Sequence, residues 1–255
     1  YIVATPPKTH YAIAKKIIRK KKHLLVEKPM TLNIEEAIDL NDEARINNVN
    51  LMIGHLLLFH PAFVKIKNLI DKGEIGDIQY IYSNRLNLGS FRKDENVLWS
   101  FAPHDISLFN YFFENLPSAV YSSGIDILQK GIHDTSITSF KYDGSRMGHI
   151  FVSWLHPFKE HRFVIIGSKG MIHFEDAEKA KPLIFHKKSV HMKGDLLKSK
   201  SEGSFKIEYS NESPLESQLK YFISNLNGKI EKANGDSAVE VMRVLELATK
   251  SLLQN

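Results

Sequence analysis

Short, continuous apolar runs alternate with helical stripes over the first 54 residues. Ile2-Val3-Ala4 reads as a buried strand closed by Pro6-Pro7, and a helix is predicted from about Thr9, with Ile13, Ala14, Ile17 and Ile18 on one stripe. His23-Leu24-Leu25-Val26 predicts a second strand, broken by Pro29. Asn33 followed by Glu36 has the spacing of a capping box, and Ala37, Ile38, Leu40 and Ala44 form the buried face of the helix it starts. Asn47-Asn48 ends that helix, and Val49 to Ile53 predicts a third strand before Gly54. Apolar strands joined through single helices imply right-handed crossovers and a parallel sheet covered on both faces. This is half of a doubly wound α/β domain. Three strands alone leave an edge bare, and no G-x-G-x-x-G loop for a pyrophosphate is present, so the first half of the domain is expected to precede Tyr1.

From about residue 77 the period changes to two. Ile78, Tyr80, Tyr82, Asn84, Leu86 and Leu88 alternate with Gln79, Ile81, Ser83, Arg85 and Asn87, which gives a strand with two unlike faces. Strands are predicted at 136–142 and 148–155, joined through Asp143-Gly144-Ser145, and at 162–166 and 171–175, joined through Gly167-Ser168-Lys169-Gly170. The second unit is therefore an open, mostly antiparallel sheet of α+β type. Helices recur at 214–226 and 237–253, the latter with Val241, Val244, Leu245, Ala248 and Leu252 as its apolar stripe. The stretch 180–204, rich in Lys, Gly and Ser, reads as hairpin and loop. The domains are expected at 1–57 and 58–255, with the last helices packing back toward the first.

Composition adds limits. At 255 residues, 43% apolar and 25% charged, the chain is ordinary globular material, and no run approaches the roughly 20 apolar residues that span a bilayer. The absence of cysteine excludes disulfides, thiolate zinc sites and cysteine nucleophiles, and agrees with the cytoplasm as the default compartment. Of the net charge of +5, residues 1–28 carry eight Lys or Arg against Glu27, so the rest of the chain is slightly acidic. Lys15, Lys16, Arg19, Lys20, Lys21 and Lys22 lack aromatic interleaving and sit toward a helix C-terminus, where the macrodipole favours cations. Nucleic acid is not an expected partner.

Two residues are candidates for chemistry. Lys28 lies just past the second strand, where open parallel sheets place their ligands, and Glu27 and Pro29 restrict its backbone. On position alone such a lysine is more often a solvated loop charge, and the restricted backbone is what favours a functional reading. His104 follows Pro103, which suits the first position of a helix, so the ring is expected at a helix N-terminus, where the dipole keeps it neutral and ready to accept a proton. A core or capping histidine is the alternative. The pairs His55/His60, His156/His161 and His186/His191 are five apart, a spacing that chelates one ion on neither a strand nor a helix, so no metal is expected.

Together, Ala4-Thr5-Pro6-Pro7 with His10, Val26-Glu27-Lys28-Pro29, Gly54-His55, Pro61, Gly73-Glu74-Ile75-Gly76 and His104 resemble the Gfo/Idh/MocA oxidoreductases over essentially the whole chain. The resemblance implies a Rossmann-like nucleotide domain, NAD or NADP, a sugar or polyol substrate, a lysine that holds substrate and nicotinamide, and a histidine that moves the hydroxyl proton. Carried over by position, these are Lys28 and His104, with Thr5, Pro6, Pro7, His10, Glu27 and Pro29 along the cofactor. Many members carry an aspartate four residues before the histidine. Here that position is Ser100, which either shifts the orienting role to Asp105 or water or marks a branch with different proton handling. Asn84-Arg85-Leu86-Asn87-Leu88-Gly89 and Asp94-Glu95-Asn96-Val97-Leu98-Trp99 resemble the branch acting on nucleotide-linked N-acetylhexosaminuronates in surface polysaccharide synthesis. The resemblance implies Arg85, Asn87, Trp99 and Asp105 near the substrate.

The expected activity is oxidation of a secondary sugar alcohol. A free polyol or inositol substrate, or a sugar-binding module without catalysis, remains open. The exposed face of the open sheet predicts a homo-oligomer.

Overall fold

Strands β1 (Ile2–Val3), β2 (Leu24–Val26) and β3 (Leu51–Ile53) lie parallel in that order in the computed structural model. The structure describes residues 1–89, 91–93 and 95–254, so Asp94 of the Asp94–Trp99 stretch lies outside the described residues. Every residue of β2 and β3 is buried, as two covered faces require. Helices α1 (His10–Arg19) and α2 (Ile34–Ile46) make the crossovers, and the Asn33 side chain accepts the Glu36 amide at 2.8 Å, which caps α2. Two cations of the basic N-terminal stretch are paired with acids of α2: Lys15 with Asp39 at 2.6 Å and Arg19 with Glu43 at 3.0 Å.

Helix α3 (Pro61–Asp71) leads into β4 (Ile78–Leu88), the central strand of an eight-stranded sheet. The others are β5 (Ala119–Ile125), β6 (Thr135–Tyr142), β7 (Arg146–Ser153), β8 (Leu155–Gly167), β9 (Met171–Glu175), β10 (Leu183–Lys193) and β11 (Leu196–Lys206). Their order is β11-β10-β9-β8-β4-β7-β6-β5, with β4 and β7 parallel and every other neighbouring pair antiparallel. The Gly-containing turns at 143–145 and 167–170 do join antiparallel neighbours, and the stretch 180–204 holds most of a long hairpin.

One face of this sheet packs on α4 (Val97–Phe113), with Phe109, Phe140, Ile150, Val152, Phe163 and Ile165 buried in the shared core. Among the described residues no helix packs over the other face. Tyr82 and His149 stack there with centroids 5.3 Å apart, and Tyr121, Ile137 and Met147 are exposed beside them. Helix α5 (Pro214–Ser224) precedes α6 (Gly235–Gln254), which closes both cores. Ala238, Val239 and Met242 join the core of the small sheet, whereas Val241, Val244, Leu245, Ala248 and Leu252 join the core of the large one. At its start Asp236 binds Asn41 at 2.8 Å and Arg45 of α2.

Candidate active site

The carboxyl ends of β1 and β2 open on the same side because the strands are parallel, and the loops that follow are tied together by one side chain. His10, wholly buried, meets the Pro29 carbonyl through Nδ1 at 2.8 Å and the Thr5 carbonyl through Nε2 at 2.7 Å. Thr5, Pro6 and Pro7 thus stand beside Glu27, Lys28 and Pro29, with the Lys28–Pro29 peptide cis. Gly54 completes the crevice at the end of β3: a Cβ there would lie 2.8 Å from Glu27 Oε2. A side chain at residue 54 would first push aside the Glu27 carboxylate and would press on the Glu27 Cα at 3.2 Å.

Lys28 reaches out of this crevice to the larger unit. Its Nζ donates to the Ser100 carbonyl of α4 at 2.8 Å, one helical turn before His104. Burial pushes the ammonium below its usual range, Glu95 opposes this, and Arg85 adds to it. The His104 Nδ1 is enclosed and has no hydrogen-bond partner. Its pKa is driven well below the ordinary value, first by burial and then by the charges of Lys28, Arg85 and His55, so the ring is neutral at pH 7.

The reason for that neutrality differs from the one the sequence predicted. Helix α4 starts at Val97, where Asn96 accepts the Trp99 amide at 3.1 Å, and Pro103 lies inside it. His104 is therefore in mid-helix, beyond the first turn over which a dipole acts. Pro103 deletes the amide that would bind the Trp99 carbonyl. Desolvation and neighbouring cations do what the helix end was expected to do.

Asp105 does not orient the imidazole. Successive helical residues point about 100° apart, and Asp105, fully buried, faces β4. It accepts the Ser83 hydroxyl at 2.7 Å and both arms of Arg85, Nε at 2.9 Å and Nη2 at 3.0 Å. Asp105 and two donors of Arg85 are thus committed to each other, and nothing brings Asp105 into the crevice. Trp99 Nε1 donates to Thr249 of α6 at 2.9 Å, so the indole bridges α4 and α6 rather than standing free as a pocket wall. Asn87 is half-buried near the end of β4.

Sequence reasoning passed over His55 as a site residue. It is 3% exposed, its Nδ1 has no partner, and its pKa is lowered to about 4 by burial and by Lys28. The usable signal was a histidine directly after the strand-ending Gly54. Being neutral in the fold and protonated below about pH 6.5 when unfolded, His55 binds fewer protons in the native state. Its contribution is complete above pH 6.5 and is lost as the pH falls toward 4, a span of about 3 kcal/mol. Urea unfolding of His55→Gln between pH 7 and 4.5 should show a shallower loss of stability than the unchanged protein. Equal slopes would remove His55 from this account. Among the described residues no group of three His, Asp or Glu side chains is placed to hold a metal ion.

Comparison with known proteins bears on the family and the fold. Residues 1–55 match the family model "Oxidoreductase family, NAD-binding Rossmann fold" and residues 63–173 match the "GFO/IDH/MocA C-terminal domain". The scyllo-inositol 2-dehydrogenase (NAD(+)) of Bacillus subtilis is 26% identical over 182 residues, which cover 67% of this chain and 53% of that protein. The UDP-N-acetylglucosamine 3-dehydrogenase of Acidithiobacillus ferrooxidans is 33% identical over 107 residues, 42% of this chain and 33% of that protein. The solved structure of the latter superposes with a TM-score of 0.83 at 20% identity, covering 98% of this chain and 78% of that one, which shows a shared fold. The chain spans about half the length, or less, of the curated relatives it matches. With a Rossmann half, an open-sheet unit and both family models matched in order, the chain belongs to the Gfo/Idh/MocA oxidoreductases.

Proposed function

We propose that the complete protein is an NAD(P)-dependent dehydrogenase that oxidises a secondary alcohol of a sugar, with a nucleotide-linked N-acetylhexosaminuronate as substrate. The observation that carries this reading is the Lys28 ammonium, held on the Ser100 carbonyl one turn from a neutral, enclosed His104. The residues present fit a dinucleotide: the loops after β1 and β2 are locked side by side by His10, and Gly54 leaves room where a side chain would collide. Thr5, Pro6, Pro7, Glu27 and Pro29 line its path in this reading. A bound nicotinamide supplies the hydride acceptor.

The chain's own residues handle the proton and the charge. Lys28 donates to the substrate hydroxyl oxygen and stabilises the negative charge that develops as the C–H bond weakens. His104, neutral, takes the hydroxyl proton, a contribution typically worth about 10²- to 10⁴-fold. Because Arg85 is held by Asp105, its role at the substrate is to present what remains of the guanidinium at a fixed position, and Asp105 acts through it. The exposed sheet face with Tyr121, Ile137 and Met147 is where a homo-oligomer would form, and its size is read by light scattering.

A free polyol is the second reading, favoured by the relative that acts on scyllo-inositol. Thermal shifts of the complete protein with NAD or NADP, each combined with uridine diphosphate N-acetylhexosaminuronates or inositols, separate the two. Stabilisation by the nucleotide sugar and not by inositol is the expected result. Stabilisation by inositol alone would replace the first reading with the second.

A further inference from the structure

Ser107 and Tyr111 stand three and seven residues after His104, one and two turns further along the same stripe of α4. Beside them lies a second cavity of about 330 Å3, walled by α4, α5, the start of α6 and the segment before it. It adjoins the Lys28 crevice at His55, but Lys28, Ser100 and His104 are not among its lining residues.

The cation of this cavity is Lys232. Its Nζ lies 5.3 Å from the ring centres of both Phe59 and Tyr111, and its hydrogen bond is a long one, 3.4 Å to the Leu58 carbonyl. An ammonium has three donors and prefers an anion when drawn out of water. Burial alone is the cause that lowers the Lys232 pKa, with no carboxylate acting on it. Tyr221 in the same wall accepts the Glu231 and Lys232 amides, each at 3.1 Å, which fills its acceptor side and leaves its O–H proton to donate elsewhere. Asn110 adds an amide of which neither atom has a partner. Unpaired buried polar groups of this kind call for a ligand or ordered water. Glu240 lines the cavity too, its carboxyl pushed up by burial and by Asp236. Lys232, the Tyr221 O–H and the Asn110 amide are thus donors of the cavity, which the Glu231 and Glu240 carboxylates also border.

We propose that this cavity is an anion-binding site in which Lys232 and the Tyr221 hydroxyl hold the carboxylate or phosphate group of a small molecule. A charge-assisted pair to Lys232 enclosed by two aromatic rings supplies the affinity. The wall is joined to the chemistry, because the Ser107 hydroxyl donates to the His104 carbonyl at 2.7 Å and His55 borders the cavity.

The test uses the complete protein with sodium phosphate and sodium malonate as probes, titrated at constant ionic strength set with sodium chloride, and reads the melting temperature and the heat of binding. A saturable rise with one or both probes is expected, phosphate alone marking a phosphoryl ligand and malonate alone a carboxylate. Lys232→Met should weaken binding by about ten-fold or more, Lys232→Arg should retain it, and Lys28→Met should leave it unchanged. No saturable response to either probe overturns the proposal. So does a response that survives Lys232→Met, or one lost in Lys28→Met, which would place the anion in the catalytic crevice and leave the dehydrogenase reading intact.

Discussion

Replacing Lys28 by Met in the complete protein lowers kcat by at least about 10²-fold while the fold and the melting temperature persist. The magnitude follows from removing a preorganised donor from the position where an alkoxide develops, in a place that water screens poorly. The stability should hold because the ammonium gains one hydrogen bond, to Ser100, at the cost of desolvation that already lowers its pKa. Methionine has a similar length and removes the cost together with the bond. The same physics gives a pH signature. Lys28 must carry its proton to act, and its pKa lies below 10.5, so the rate falls as pH rises through a value under 10.5. His104 must be neutral, and its pKa lies well below 6.5, so the rate does not halve near pH 6.5. Steady-state kinetics from pH 5 to 10 check both limbs. A Met variant with near-normal kcat, or a rate that halves at pH 6.5, would end the assignment.

The second large effect is on folding. Asp105→Ala should cost about 3–5 kcal/mol, because it takes from the largely buried Arg85 guanidinium its only directly bonded carboxylate among the described residues and leaves just the weaker pull of Asp176. Arg85→Met should cost a similar amount by stranding the carboxylate. The double variant Arg85→Met/Asp105→Leu should recover most of the loss, since a buried pair replaced by apolar groups of like volume is often neutral. Urea unfolding of the three variants gives the coupling directly. If the single variants lose less than about 1 kcal/mol, in the range of an exposed pair, the pair is not the buried clamp described.

Much of the small sheet was legible in the sequence because local rules and tertiary demands agree there. Asn33 and Glu36 cap a helix as their spacing says, and strands buried on both faces read as unbroken apolar runs. The site was legible only as two separate residues. Lys28 meets α4 across 72 positions, a pairing that periodicity does not encode. The start of α4 was misread because proline is favoured at the first helical position, and that rule outweighed the weaker signal of Asn96 ahead of Val97-Leu98. Pro103 is tolerated within α4 by the packing around it, as a helix with twelve buried residues permits. The alternation of β4 holds from Tyr80 to Leu86, but register shifts between Ile78 and Tyr80 and between Leu86 and Leu88 break it at both ends, and such a bulge leaves no trace in an alternating pattern. The length of the hairpin β10–β11 was hidden for another reason: its strands are held by main-chain bonds, and their exposed Lys and Ser side chains carry no burial pattern.

The position of α6 over both cores sets a timetable for biosynthesis. Asp236 grips Asn41 across 195 residues, and Ala238, Val239 and Met242 supply part of the apolar filling beneath the first three strands. At about 5–20 residues per second, a ribosome needs on the order of 10–40 s to deliver that lid after α2 has emerged. Through that interval the early segment presents bare aliphatic surface to chaperones, and these two distant stretches of the polypeptide must mature in one concerted event.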